Sequence, residues 1–472
     1  MKEILKSYQK YKYIHFLLFF VPIIVVCCMN LFAGPDFWFL HEYGEHIVQE
    51  GITHTDFLSI HSGLQLVMQQ WLSSVLFYLI YHFFGRYGML LFVMAIVACY
   101  LAILYRMLLF LTNQDTFLST IFSVLTVLLL EVNFILIRPQ LFTYLILLCF
   151  LFLIEIYSKN QDSKWIYCFP ILSLMQVNLH GAFFFMPFLF LLPYLVSFLF
   201  KKDKRWKKLL FVMILMALVG FLNPYGYEVF TFLFKSYGRS DFSDFIMEMR
   251  PTTLSFDYPI TGLFYLTFFG ILIFYFYSKK KISLPHLFLF LGTSILAFLN
   301  VRNIALFFLG SVPFVAKYIS YKREKSIGNF RNYRLLYCFM SILCIFYLFM
   351  NRSMDTSEAS DAVDYLDTVS SDIVLFADFD YGSYCEYRGY PSYIDSRAEV
   401  FFQSLNEKFD YFNEYYQLEH GRLSGANFTS KYAFTHILVQ QGSYYDMYLR
   451  NDTNYEIVFH DSNFILYQRK SN

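Results

Sequence analysis

The sequence is poor in charge: Asp, Glu, Lys and Arg make up 15% of its 472 residues, where a soluble domain carries about a quarter. That excludes an ordinary soluble enzyme, and with no soluble basic surface it excludes a nucleic-acid binder as well. No Walker A, glycine-rich nucleotide loop or G-x-S-x-G elbow occurs, so nucleotide-driven and serine-hydrolase chemistry lack their usual residues. Two repeated halves with interrupted helices, the mark of many transporters, are also missing. Seven of the eight cysteines (Cys27, Cys28, Cys99, Cys149, Cys168, Cys338 and Cys344) lie in or beside apolar runs. Only Cys385 falls in polar sequence, which excludes a disulfide framework.

What is present is apolar. Hydrophobic residues reach 57% and aromatics 22%, and the mean hydropathy of +0.45 marks an integral membrane protein. Net charge is near zero only in sum, since residues 1–352 carry +12 and residues 353–472 carry −11. The two parts therefore face different surroundings. Apolar runs recur at 14–33, 68–84, 87–109, 116–136, 140–157, 165–200, 209–222, 259–277, 284–300, 303–316 and 334–350. The first is too long for a signal-peptide core and reads as a retained helix. With the N-terminus cytoplasmic, the segments around Arg86, Arg138, 201–208, 279–281 and 317–334 are placed inside, where basic residues accumulate. This bookkeeping requires residues 165–200 to cross an odd number of times, although Asn178-Leu179-His180-Gly181 interrupts them. The expected fold is a polytopic α-helical membrane protein with about 11 to 13 transmembrane helices. Residues 1–352 form its transmembrane domain, with a first external loop at 34–70, and residues 353–472 form a C-terminal extracytoplasmic α/β domain. In that tail β-like runs at 373–377, 392–395, 435–439, 456–460 and 464–468 alternate with helix-like stretches at 359–369 and 401–416.

The external loop carries Asp36, His41, Glu42, Glu45, His46, Glu50, His54, Asp56 and His61 without a single Lys or Arg. Asp36 is the expected catalytic group: it sits at the membrane boundary beside Trp38, where partial desolvation raises carboxylate basicity. No metal site is expected, because no H-E-x-x-H spacing occurs. Arg302 and Arg250 are guanidinium candidates for binding phosphate. Glu248 lies beside Arg250 in the loop 223–258, and Asn178 and His180 occupy the broken apolar stretch. An enzyme with polar residues outside and no nucleotide motif needs a substrate already delivered through the membrane, as a lipid-linked donor is.

These residues carry a resemblance. Asp36-Phe37-Trp38 with Gly44, Thr55-Asp56-Phe57-Leu58-Ser59, Gln70-Trp71-Leu72, Arg138-Pro139-Gln140, Asn178-Leu179-His180-Gly181, Asn223-Pro224-Tyr225-Gly226, residues 248–251 and Val301-Arg302-Asn303 follow one another as in bacterial proteins of the GT-C glycosyltransferase superfamily. The plan resembles that of protein mannosyltransferases and the aminoarabinose transferase of lipid A. Tyr381-Gly382 and Ile394-Asp395-Ser396-Arg397-Ala398 resemble the external domain such proteins often carry. The sequence departs from the pattern in two places: Leu40-His41 stands for His-Leu, and Gln69-Gln70 for His-Glu.

The resemblance implies an inverting transfer of sugar from a polyprenyl-phosphate donor to a cell-envelope glycan or lipid acceptor on the outer face of the cell membrane. In that reaction Asp36 is the general base, and Arg302, with Arg250, holds the leaving phosphate. His180 and Asn178 position donor or acceptor, Asp56 is a supporting or alternate acid, and Glu248 lies at the substrate site. No cofactor is required with certainty, and a divalent cation is left open. The partners are the lipid-linked donor, the acceptor and membrane lipids, with no nucleic acid. Asp395 and Arg397 are expected to form an internal structural pair. Two other classes stand beside this reading: an envelope polysaccharide polymerase or ligase, and a non-enzymatic membrane scaffold.

Overall fold

A computed structural model describes residues 20, 23–24, 27, 34–236, 246–254, 258–278, 283–322, 358–369 and 372–470. Most of the expected span at 14–33 and all of that at 334–350 lie outside the described residues. The chain divides into two compact units. The first takes residues 1–31, 86–223 and 242–354, and the second takes 32–85, 224–241 and 355–472. The boundary expected at 352 is thus one of several, because the second unit also draws on the external loop and on residues that follow Asn223.

The elements in chain order are α1 (Pro35–Gln49), α2 (Trp71–Leu111), α3 (Thr116–Glu131), α4 (Gln140–Lys159), α5 (Phe169–His180), α6 (Met186–Phe200), α7 (Arg205–Val219), α8 (Glu228–Ser236), α9 (Pro259–Ser278), α10 (Leu284–Leu299) and α11 (Ile304–Lys322). Among the described residues four stretches are long and apolar enough to cross a membrane: Trp71–Leu111, Gln140–Lys159, Lys164–Phe183 and Pro259–Phe276. Leu118–Glu131, Met186–Phe200 and Leu284–Leu299 are shorter apolar helices. At 1.5 Å per residue such helices fall a few ångströms short of a core of about 30 Å, a mismatch that local thinning of the bilayer absorbs.

Contacts inside the first unit show which helix ends lie together. At one end Lys159 Nζ donates to the Phe110 carbonyl at 2.7 Å, Arg205 Nη1 to Ser158 O at 2.5 Å and Lys208 Nζ to Ser163 O at 3.4 Å. At the other, Arg138 Nη1 donates to Glu248 Oε1 at 2.9 Å and Asn178 Nδ2 to Leu222 O at 3.1 Å. Arg138 therefore lies opposite residues 201–208, not beside them as expected, because α4 runs the length of the unit between the two. Helices α5 and α6 pass out and back, giving 165–200 two traverses in place of an odd number. The reversal occurs where His180 leaves helical space (φ −156°, ψ 76°) and a short 3₁₀ turn, Gly181–Phe183, follows. The run at 68–84 belongs to the second unit, and Gly85 (φ 57°, ψ −152°) breaks α2 directly after it. Beyond the break α2 runs alongside α4 in the same direction, with Tyr100 donating to Leu141 O and Phe110 against Phe152. Arg86 is accordingly at the Arg138 end too.

In the second unit, the supposed loop 34–70 opens with helix α1. Pro35 has no N–H to leave unpaired in the first turn, and Asp36 beside it complements the helix dipole. Gly44 lets α1 lie on the first turn of α2: a Cβ there would come 2.2 Å from Ser74 O. The C-terminal part of the unit has helices α12 (Ser360–Leu366), α13 (Phe379–Tyr387), α14 (Gln403–Asn406), α15 (Tyr411–Glu419), α16 (Gly425–Tyr432) and α17 (Tyr444–Leu449). Its strands are β1 (Leu375–Ala377), β2 (His436–Gln440), β3 (Tyr455–His460) and β4 (Phe464–Arg469), in sheet order β1-β2-β4-β3. Only β1 and β2 are parallel, with Phe376 opposite Ile437. Four of the five β-like runs become strands. The run 392–395 makes a single bridge from Ser392 to Leu375, because its backbone turns to serve the ion cluster described below. An aromatic core of Phe376, Tyr393, Phe428, Phe434 and Tyr445 packs against the sheet.

Candidate functional site

Asp36 is in the first turn of α1, half-buried, and the next four residues are buried. Trp38 anchors this turn in the second unit, its ring 5.0 Å from Tyr384 and 4.5 Å from Tyr387.

Asp56 has a different situation from the one expected. Its Oδ1 accepts from the Tyr43 hydroxyl at 2.7 Å and from Arg397 Nη1 at 2.5 Å, and its Oδ2 accepts from the Ser59 hydroxyl at 2.6 Å. Arg397 also binds Asp395 through Nε (2.8 Å) and Nη2, and Glu386 lies 3.6 Å from Nη2. One guanidinium thus serves three carboxyl groups, all with 0% side-chain exposure. Burial alone would raise the Asp56 carboxyl, but Arg397 and the Ser59 and Tyr43 hydroxyls outweigh it and hold it at about 2. Glu386 goes the other way: burial and then Asp395 push it well above the usual carboxylate range. The internal Asp395–Arg397 pair is present as expected, and Asp56 joins it, tying residues 43–59 to 386–397. Asp56 therefore holds the loop in place rather than presenting an oxygen to a substrate. Its link to Arg397 spans 341 residues, and no local signal in the sequence announces it.

The remaining candidates belong to the first unit. Arg302 sits in the 3₁₀ turn Val301–Asn303 between α10 and α11, with its guanidinium 5.3 Å over the Phe183 ring. Its Nε is buried and has no hydrogen-bond partner among the described residues. His180 stacks on the same Phe183 ring at 4.8 Å, and its Nδ1 is 2.8 Å from the Thr143 hydroxyl. Gln176 Nε2 fixes that group by donating to Thr143 Oγ1 at 2.9 Å and to His180 O at 2.8 Å. The structure thus joins Arg302 and His180 through Phe183, a residue the sequence reading passed over, as it did Gln176 and Thr143. A buried glutamine one turn before an interrupted helix is the signal that could have flagged them.

Asn178 donates to Leu174 O at 2.9 Å as well as to Leu222 O, and so satisfies backbone carbonyls at the break. Glu248 is neutralised by Arg138. Arg250 O accepts from Val301 N at 3.0 Å, which pins the turn bearing Arg302. Farther along the same helices, an apolar cavity of about 370 Å³ is lined by Leu189, Pro193 and Val196 of α6 and Phe288, Gly292 and Leu296 of α10. The first unit therefore offers a partly desolvated guanidinium suited to a phosphate group and, along the helices leading from it, an apolar recess.

No family model matches the sequence, and no curated protein matches it. Solved structures do. The chain is similar to ArnT from Cupriavidus metallidurans bound to undecaprenyl phosphate, at 12% identity and a TM-score of 0.56, over 95% of this chain and 96% of that one. It is likewise similar to the same protein in the apo state, at 12% identity and a TM-score of 0.57, over 98% of each chain. The fold is thus ArnT-like over nearly the whole chain.

Proposed function

We propose that the chain is a membrane glycosyltransferase that moves a sugar from a polyprenyl-phosphate donor to a cell-envelope glycan or lipid acceptor, with inversion at the anomeric carbon. The observation that carries this reading is Arg302: a guanidinium with a buried, unsatisfied Nε, in a protein whose ArnT neighbour is solved with undecaprenyl phosphate. A buried donor without an acceptor is unfavourable unless a ligand supplies one. A phosphate oxygen does so with charge assistance that grows as the leaving group separates. In this reaction Asp36 takes the proton from the acceptor hydroxyl as the C–O bond to the sugar forms. The anomeric bond to the donor phosphate breaks, and Arg302 holds the departing polyprenyl phosphate. His180 shares the Phe183 platform and positions the donor, and Arg250 acts through the backbone of the Arg302 turn.

The distribution of charge supports the orientation. Lys159, Lys164 and the six basic residues of 201–208 gather at one end of the first unit, which makes it the cytoplasmic end. Arg138 and Arg302 are then outside. The polymerase or ligase alternative calls for a large external loop between late helices, whereas α10 and α11 are joined by residues 300–303 alone. Titration of the purified protein with undecaprenyl phosphate, followed by native mass spectrometry, tests the reading. The wild type should bind and Arg302→Ala should lose at least tenfold in affinity; equal binding by both removes Arg302 from the site.

A further inference from the structure

Helix α1 carries a second set of chemistry-bearing side chains that the transfer reaction leaves unused. His41 and Glu45, four residues apart, share one face of the helix, and Glu42 adjoins them. One ligand atom from each lies within 4.8 Å of the others. His41 is only 9% exposed and Glu42 20%, so the group is not an ordinary solvated acidic surface. Its imidazole is walled by the rings of Tyr78, Tyr81 and Tyr387, at 5.2, 5.4 and 5.2 Å.

A second observation concerns charge balance. Several other carboxylates of the same unit have cations: Asp56 and Asp395 have Arg397, Glu414 has Lys431 and Asp446 has Arg450. Among the described residues neither Glu42 nor Glu45 pairs with Lys or Arg. Glu42 meets His41 Nδ1 at 3.0 Å, and Glu45 accepts from the Gln49 amide at 2.8 Å. The segment 34–70 contains no Lys or Arg to neutralise them. Two partly desolvated negative charges beside an imidazole thus lack the cation that their surroundings call for.

We propose that His41, Glu42 and Glu45 bind a divalent transition-metal ion of the zinc or manganese kind. One imidazole nitrogen and two carboxylate oxygens form a borderline N/O set that suits these ions, and three protein ligands leave one position open to water. Ligand atoms around such an ion stand about 3 to 4 Å apart, so small side-chain rotations close the set. Asp36 is five residues earlier, about 7.5 Å along the helix axis. The ion therefore fixes α1 rather than taking part in the transfer step, and the inference does not depend on the proposed function. Neutralising two like charges on one helix stabilises it and, with it, the turn that presents Asp36.

The test uses the full chain purified without a polyhistidine tag, stripped with chelator, incubated with Zn²⁺ or Mn²⁺ and passed through gel filtration. Metal is then counted by mass spectrometry. About one ion per chain is expected for the wild type and for Glu50→Gln, a control at the C-terminal cap of the same helix, and background levels for His41→Ala and Glu45→Gln. Glu45→Gln keeps the shape of the side chain, and its elution profile shows whether it is folded. Background metal on the wild type, or equal metal on wild type and folded Glu45→Gln, overturns the proposal.

Discussion

Replacing Arg397 should damage the second unit more than replacing any one of the carboxylates around it. Holding the Asp56 carboxyl at about 2, against an ordinary 3.8, corresponds to about 2.5 kcal/mol of stability. Its sign is that of a depressed carboxyl: the contribution is complete above about pH 4 and is lost as pH falls toward 2. Asp56→Asn removes that interaction but leaves Arg397 with Asp395, so a loss of about 2 to 3 kcal/mol follows. Arg397→Met strips the only guanidinium from Asp56, Asp395 and Glu386 together, and two buried anions are left without a cation. The expected loss is at the top of, or beyond, the range of about 3 to 5 kcal/mol for breaking a buried pair. Thermal unfolding of the purified full chain, with proteolysis of the C-terminal region as a second readout, orders the variants. The reasoning is refuted if Arg397→Met is no less stable than Asp56→Asn, or if both melt with the wild type.

Three further outcomes follow from the same structure. Gly44→Ala should prevent stable accumulation of the protein in membranes, because the new Cβ meets the Ser74 carbonyl, whereas Gly34→Ala, with nothing within 4 Å, should accumulate normally; immunoblotting of membranes with matched expression separates the two. Burial holds the His61 imidazole down at about 4 against its usual 6.5, so its protonation favours the unfolded chain. Stability should fall by up to about 3 kcal/mol as pH drops from above 6.5 through 4, and His61→Gln should flatten that part of the melting profile. Arg302→Lys should restore little of the transfer rate lost in Arg302→Ala, a loss of about 10² to 10³-fold, since a single ammonium cannot reproduce the guanidinium fork; transfer assays with saturating donor measure it.

The fold was legible where the physics is local. Apolar runs marked most of the helices, short β-like runs marked four strands of the tail, and the polar stretch at 178–181 marked a break, though not the reversal between α5 and α6 that occurs there. The segment around Asp36 was expected as part of a loop and instead opens a fifteen-residue helix, Pro35–Gln49. Sidedness was less legible. Counting apolar runs does not show which helix ends lie together, and it grouped Arg138 with residues 201–208, which lie at the other end of α4. At the candidate site, Arg302 and His180 were found by type, but Phe183, which joins them, looks like any other of 59 phenylalanines. Asp56 was read as chemistry because its partner Arg397 is hundreds of residues away; only the folded chain shows that its oxygens are occupied. The uncompensated charge of Glu42 and Glu45 was visible as a lack of Lys and Arg in 34–70, but their approach to a buried His41 was not.

Asp36 is the central claim, and complementation tests it most directly. A strain deleted for this gene is supplied with the wild type or with Asp36→Asn at matched membrane levels, and its envelope glycans are profiled by mass spectrometry. A sugar that disappears on deletion, returns with the wild type and stays absent with Asp36→Asn is the predicted result. Full restoration by Asp36→Asn contradicts the account, because an amide cannot accept the proton from the acceptor hydroxyl.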